Sequence, residues 1–110
     1  FAIKRIYYIH DVPAGVQRGG HAHKKLRQVL WCPYGKILIK LDDGFEKAEV
    51  LLDSADKGLI VESNMWRDML WQQDNSVLCV AADSFYDAAD YIRDYEEFLR
   101  HVGAQASVKE

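Results

Sequence analysis

Turn-forming residues cut most of this chain into short pieces, and that spacing constrains the fold more than any other feature. Asp11-Val-Pro13-Ala-Gly15, Arg18-Gly-Gly20, Pro33-Tyr-Gly35 and Asp42-Asp-Gly44 each carry turn chemistry. Between them lie runs rich in β-branched and aromatic residues: Ala2–Ile9, His21–Trp31 (one strand or a pair), Lys36–Leu41, Phe45–Leu52, Gly58–Glu62, Met65–Gln72 and Ser76–Ala82. About seven or eight short strands at this spacing predict an antiparallel sandwich or barrel. Asp42-Asp-Gly44, between two alternating runs, is the strongest hairpin signal.

The last segment changes period. Ala88, Tyr91, Ile92, Tyr95, Phe98, Leu99 and Val102 recur at three- and four-residue steps, which predicts a short C-terminal helix. Ser84 with Asp87 offers one start, Asp94 a competing one, and Gly103 a stop. The Tyr91/Tyr95 ladder then reads as helix packing. Residues 1–103 form a single domain, and the polar stretch 104–110 reads as a flexible tail.

Composition narrows the function. With 49% hydrophobic and 28% charged residues the chain has the balance of a soluble globular domain. A net charge of −3 argues against a nucleic-acid or anionic-membrane partner, while leaving room for a local basic pocket. No apolar run approaches the ~18 residues of a membrane span, so the cytoplasm is the expected location. Cys32 and Cys79 are too far apart for a zinc or CxxC motif and read as reduced core residues.

His21-Ala22-His23 is the sharpest chemical feature. On a strand, positions i and i+2 share a face, so both imidazoles point the same way. Arg18 precedes them beside two glycines, and a guanidinium there can clamp a phosphate or simply be solvated in a turn. Arg67 opens an apolar strand, either inside the barrel mouth or packed on Trp66 or Trp71 at the surface. Tyr7 and Tyr8 are adjacent on one strand, so one of them faces inward.

The spacing Gly15-x5-His21-x-His23-x4-Gln28-x6-Gly35 matches the first cupin motif, with Gln28 where glutamate is usual. The chain therefore resembles a cupin, and the resemblance implies a small all-β jelly roll. Metal-binding cupins use three histidines and a glutamate. Here only two imidazoles remain, and the second motif is eroded around Asn64-Met-Trp-Arg67. Two imidazoles and a neutral amide hold a divalent ion weakly, so no metal or other cofactor is expected.

Five further strings sharpen the resemblance: Arg5-Ile-Tyr-Tyr-Ile9, Arg18-Gly-Gly-His-Ala-His23, Leu41-Asp-Asp-Gly44, Met65-Trp-Arg67, and Ser84-Phe-Tyr-Asp87 with Asp90-Tyr-Ile-Arg-Asp-Tyr95. Together they are similar to the nucleotide-sugar 3,4-ketoisomerases, cupins that act on dTDP-4-keto-6-deoxyglucose. The resemblance implies a metal-free, homodimeric isomerase that moves the ketone from C4 to C3 and feeds a sugar aminotransferase in deoxysugar and polysaccharide biosynthesis. Carried over by motif, His21 is the base at C3, and His23 orients it or relays the proton. Arg67 stabilises the oxyanion, and Arg18 binds the pyrophosphate or a sugar oxygen. Tyr7, Gln28 and Trp66 line the substrate site. An imidazole titrating near 6.5 serves both directions of such a transfer. Relatives carry His or Arg at the position of Arg67, and Arg implies the gluco product. They also carry a further N-terminal segment, implied to add an exchanged edge strand and part of the pocket. Two other readings remain: a non-catalytic nucleotide-sugar-binding cupin, and a metal-dependent cupin enzyme.

Overall fold

The computed structural model describes the backbone of residues 2–109 and the side chains of residues 2–105. Nine strands form two antiparallel sheets among the described residues: β1 (Arg5–Ile9), β2 (Gln17–His23), β3 (Gln28–Tyr34), β4 (Ile37–Asp42), β5 (Lys47–Leu52), β6 (Gly58–Val61), β7 (Trp66–Trp71), β8 (Val77–Ala82) and β9 (Tyr91–Ile92). One sheet has the order β1-β8-β3-β6 and the other β5-β4-β7-β2-β9. Their inner faces enclose Leu30, Ile37, Ile39, Leu52, Val61, Trp71, Leu78 and Val80, all buried. This is the antiparallel sandwich that the strand spacing predicts, and it fits the jelly roll that the cupin resemblance implies.

Alternation along each strand decides which residues look inward. In β7, Arg67, Met69 and Trp71 are buried while Trp66, Asp68 and Leu70 are only partly so. The Trp71 indole N–H donates to the Ser76 carbonyl at 2.8 Å, which satisfies the one polar atom that this large core side chain brings inside. The hairpin forms where Asp42-Asp-Gly44 predicts it. Its loop is longer than a two-residue turn, because the Asp42 and Asp43 carboxylates accept the backbone N–H groups of Gly44, Phe45 and Glu46 at 2.7–2.8 Å.

Three boundaries differ from the sequence expectation. Arg18-Gly-Gly20 is not a turn. It lies inside β2, where the register against β7 slips between Gly19 and His21. Gly19 has φ +97°, and a Cβ there would stand 2.7 Å from the Arg67 carbonyl oxygen. Only glycine lets β2 approach β7 so closely, and the resulting bulge aims His21 inward. Gly19→Ala is therefore expected to destabilise the fold by about 2 kcal/mol or more and to impair the site. Chemical denaturation and an activity assay check this together.

The C-terminal region is also more divided than a single helix from Ser84. Asp87 caps a short 3-10 turn, Ala88–Asp90, by accepting the Ala89 N–H. β9 follows, and α1 (Tyr95–Lys109) begins after Asp94, whose carboxylate accepts the Glu97 N–H at 3.2 Å. Gly103 does not stop the helix, which runs on through the stretch expected as a tail to Lys109. Glu110 lies outside the described residues. Phe98 and Val102 of α1 pack with Ala22 and Ile92 on the outer face of the second sheet. No helix among the described residues is long and apolar enough to cross a membrane.

Candidate active site

β-pairing places His21 opposite Arg67, and Arg67 opposite Leu41, in one inward-facing row of the second sheet. His23 pairs with Tyr91 of β9, so both face the same interior. Across the barrel, Gln28 of β3 pairs with Ala82 of β8, which pairs with Arg5 of β1. Two sheets thus converge on one end of the barrel with two imidazoles, two guanidinium groups, an amide and the phenols of Tyr7 and Tyr91.

The contacts within this group are specific. The His21 and His23 rings meet edge to face with centroids 5.1 Å apart. The Tyr91 ring packs on both, at 5.1 Å from His21 and 4.3 Å from His23. The Arg67 guanidinium donates to the Gln28 amide oxygen at 2.5 Å and to the Met65 carbonyl at 3.0 and 3.2 Å. The Gln28 amide N–H in turn donates to the Tyr7 hydroxyl at 3.3 Å. Among the described residues Arg67 makes no ion pair, although it is only 1% exposed. A buried cation without an acidic partner is costly, and such a cost is most readily accounted for by an anion that arrives during function.

Burial and this charge set the protonation states. The His21 pKa is pushed down to about 4, first by burial and then by the Arg67 charge. Burial, Arg67 and His21 push His23 down to about 3, against the pull of Asp90. Burial lowers Arg67 to about 10, so it stays charged at neutral pH. Both imidazoles are then neutral at pH 7, lower than the value near 6.5 that the sequence alone suggests.

A stability effect follows. The unfolded chain binds protons at these two histidines below about pH 6.5, while the folded chain does so only near pH 4 and below. Stability is therefore fully present above pH 6.5 and is lost as the pH falls through the folded-state values. Thermal denaturation across pH 4–7 is expected to show Tm falling with pH, and the fall is shallower in the His21→Gln/His23→Gln double variant.

The structure does not bring every expected site residue together. His21, His23, Arg67, Gln28 and Tyr7 form one connected group. Trp66 faces the other side of β7, where it stacks against Tyr95 and Phe98 of α1. It lines an outer cavity of about 640 Å³ with Lys40, Asp42, Lys47 and Asp68, whose lining includes neither imidazole. Arg18 pairs with Met69 before the bulge and is exposed. Its side chain is not part of the buried group.

Four neighbours escape the sequence reading as site residues. Tyr91 sits on the histidines, not on the helix. Arg5 lies over the Tyr7 ring at 5.0 Å and Arg93 over Tyr91 at 4.2 Å, which adds positive charge around the interior. Asp90 places a carboxylate oxygen 3.3 Å from His23 Nδ1. Asp90, Tyr91 and Arg93 lie in or beside a 3-10 turn and a two-residue strand, too brief for periodicity to show, while Arg5 opens β1.

The donor set does not suit a divalent metal. No group of three or more His, Cys, Asp or Glu able to hold one gathers among the described residues. The Gln28 oxygen is taken by Arg67, whose charge beside the imidazoles opposes a second cation.

Comparison with known proteins agrees with this geometry. The family described as FdtA: WxcM-like, C-terminal matches residues 1–103. A TDP-4-oxo-6-deoxy-alpha-D-glucose-3,4-oxoisomerase of Aneurinibacillus thermoaerophilus is 44% identical over 102 residues, 93% of this chain and 73% of that one. A 3,4-ketoisomerase from Helicobacter canadensis superposes with a TM-score of 0.91 at 46% identity, covering 94% of this chain and 77% of that one. A mutant of the 3,4-ketoisomerase QdtA from Thermoanaerobacterium thermosaccharolyticum, in complex with TDP-4-keto-6-deoxyglucose, gives a TM-score of 0.91 at 38% identity, covering 94% and 75%. The jelly roll, the paired histidines opposite a buried arginine and the match along residues 1–103 thus agree: this chain belongs to the FdtA/WxcM-like family, among whose relatives are sugar 3,4-ketoisomerases.

Proposed function

We propose that this chain is a dTDP-sugar 3,4-ketoisomerase that converts dTDP-4-keto-6-deoxyglucose to the 3-keto isomer through an enediol. The observation that carries the reading is the buried Arg67, charged and without an ion pair among the described residues, in one row with the neutral imidazole of His21. Proton abstraction beside a ketone needs a neutral base and a cation for the oxygen that gains charge.

His21 removes the C3 proton, and the C4 carbonyl oxygen becomes an oxyanion held by Arg67. His23 carries the proton from the O3 hydroxyl to O4. His21 returns its proton to C4 as the C3 carbonyl forms. No net oxidant or reductant is consumed. Tyr7 and Gln28 hold Arg67 and line the sugar, and Trp66 is better assigned to helix packing than to substrate contact. The charges of Arg5 and Arg93 around the interior, with Arg18 at the exposed start of β2, suit the diphosphate of a nucleotide sugar. Arg67 also favours the gluco product, and the aminotransferase step that consumes it belongs in the cytoplasm.

A second copy of the chain is the partner we assign to the outer face of the first sheet. Ile6, Ala81, Val29 and Ile60 form one row across that face, and Tyr8, Cys79 and Trp31 the next. Ile6, Tyr8 and Ile60 are 64%, 63% and 59% exposed, which is unusual for a contiguous apolar sheet face in a monomer.

Proton NMR of dTDP-4-keto-6-deoxyglucose incubated with the protein and EDTA tests the reading. A 3-keto product is expected, with a C4–C5 coupling that reports the gluco configuration. An unchanged spectrum overturns the reading in favour of a binding domain, and conversion only after added metal overturns its metal-free form.

A further inference from the structure

We propose that Asp90 is a positioning residue that holds His23 with its proton on Nδ1, leaving Nε2 free to accept and return the proton that passes between the sugar oxygens. This rests on the reaction proposed above and adds to it a residue with no role in the sequence motif.

The placement is built from several contacts. The segment after His23 is tied to the 3-10 turn by three backbone bonds. Lys24 N–H donates to the Asp90 carbonyl at 2.9 Å, Lys25 N–H to Asp90 Oδ1 at 2.8 Å and Leu26 N–H to Oδ2 at 3.2 Å. These bonds fix the carboxylate in place, and its side chain is 11% exposed. The same Oδ2 stands 3.3 Å from Nδ1 of His23, whose side chain is fully buried. Neither ring nitrogen of His23 makes an aligned hydrogen bond. Catalytic hydrogen bonds are often long or poorly aligned until the Michaelis complex forms.

A carboxylate accepts and cannot donate, so it selects the tautomer whose proton faces it. Nε2 then carries the lone pair, with no partner among the described residues. The groups facing His23 are Arg67 of β7, His21 of β2, Tyr91 of β9 and Asp90 of the 3-10 turn. Of these only Asp90 pulls the His23 pKa upward, by charge and by its side-chain contact, so it alone can favour a transient imidazolium.

Asp90 could instead serve only to anchor residues 24–26, and the experiment separates the two roles. Nitrogen-15 NMR of the histidines in the wild-type protein at pH 7 is expected to show the His23 proton on Nδ1. Asp90→Asn is expected to lower kcat at least about tenfold with KM little changed, and to move that proton. In the His23→Asn background the same substitution should cost about twofold or less, because its effect runs through His23. A wild-type His23 protonated on Nε2 overturns the proposal, as does an Asp90→Asn loss that persists undiminished in the His23→Asn background. If Asp90→Asn fails to fold, the wild-type spectrum alone decides. If the wild-type protein turns over no sugar, the proposed reaction fails, while the spectrum still decides where the His23 proton sits.

Discussion

Replacing His21 by asparagine is expected to lower kcat by about a hundredfold or more while leaving nucleotide-sugar binding nearly intact. General-base catalysis contributes a factor of this size, and asparagine keeps the polarity and approximate volume of imidazole without its basicity. The fold should survive, because His21 is only partly buried and makes ring contacts, not core packing. Rapid-quench turnover and a calorimetric titration with TDP measure the two halves. A non-catalytic binding domain would bind TDP equally well with either residue and show no turnover to lose. The pH profile adds a second check. With the base near 4, kcat/KM for the wild-type protein should be flat through neutrality and fall only toward that value.

Arg67→Met should have the next largest effect, lowering kcat/KM by about a hundredfold to a thousandfold, as loss of an oxyanion partner does. The consequences for the rest of the molecule differ in sign. The variant leaves the Gln28 oxygen and the Met65 carbonyl without their donor, which costs about 1–3 kcal/mol. It also removes a buried charge that no ion pair among the described residues compensates, which offsets much of that loss. Stability should therefore change far less than activity. Burial and then the Arg67 charge hold the His21 pKa down, so removing Arg67 lets that pKa rise part of the way toward 6.5. The acid limb of kcat/KM is thus expected to move to higher pH even as the plateau falls. A profile that keeps its limb near pH 4 would show that burial alone sets the His21 value.

Much of this was readable from the residues themselves. Period-two alternation placed His21 with His23 and separated Arg67 from its neighbours on β7, because a strand leaves a side chain only two faces to choose between. The spacing from Gly15 to Gly35 brought Gln28 into the same group. Tertiary context decided the rest. Trp66 and Arg67 are adjacent, and nothing local says which faces inward; the pairing of β7 with β2 and β4 does. Arg18-Gly-Gly20 carries turn residues yet is a bulged strand, because the close approach of β7 demands glycine there as a turn would. Asp90 and Tyr91 reach the site through a connection that shares its composition with a helix start. The low histidine pKa values depend on burial and on Arg67, neither of which a motif contains.

In the proposed reaction one proton leaves C3 and one arrives at C4 within the histidine and arginine group. Substrate carrying deuterium at C3, turned over in ordinary water, checks this. A primary isotope effect on kcat/KM is expected, with formation of the 3-keto sugar and full retention of the C5 hydrogen. Loss of the hydrogen at C5, or turnover with the C3 deuterium still in place on the product, would contradict it.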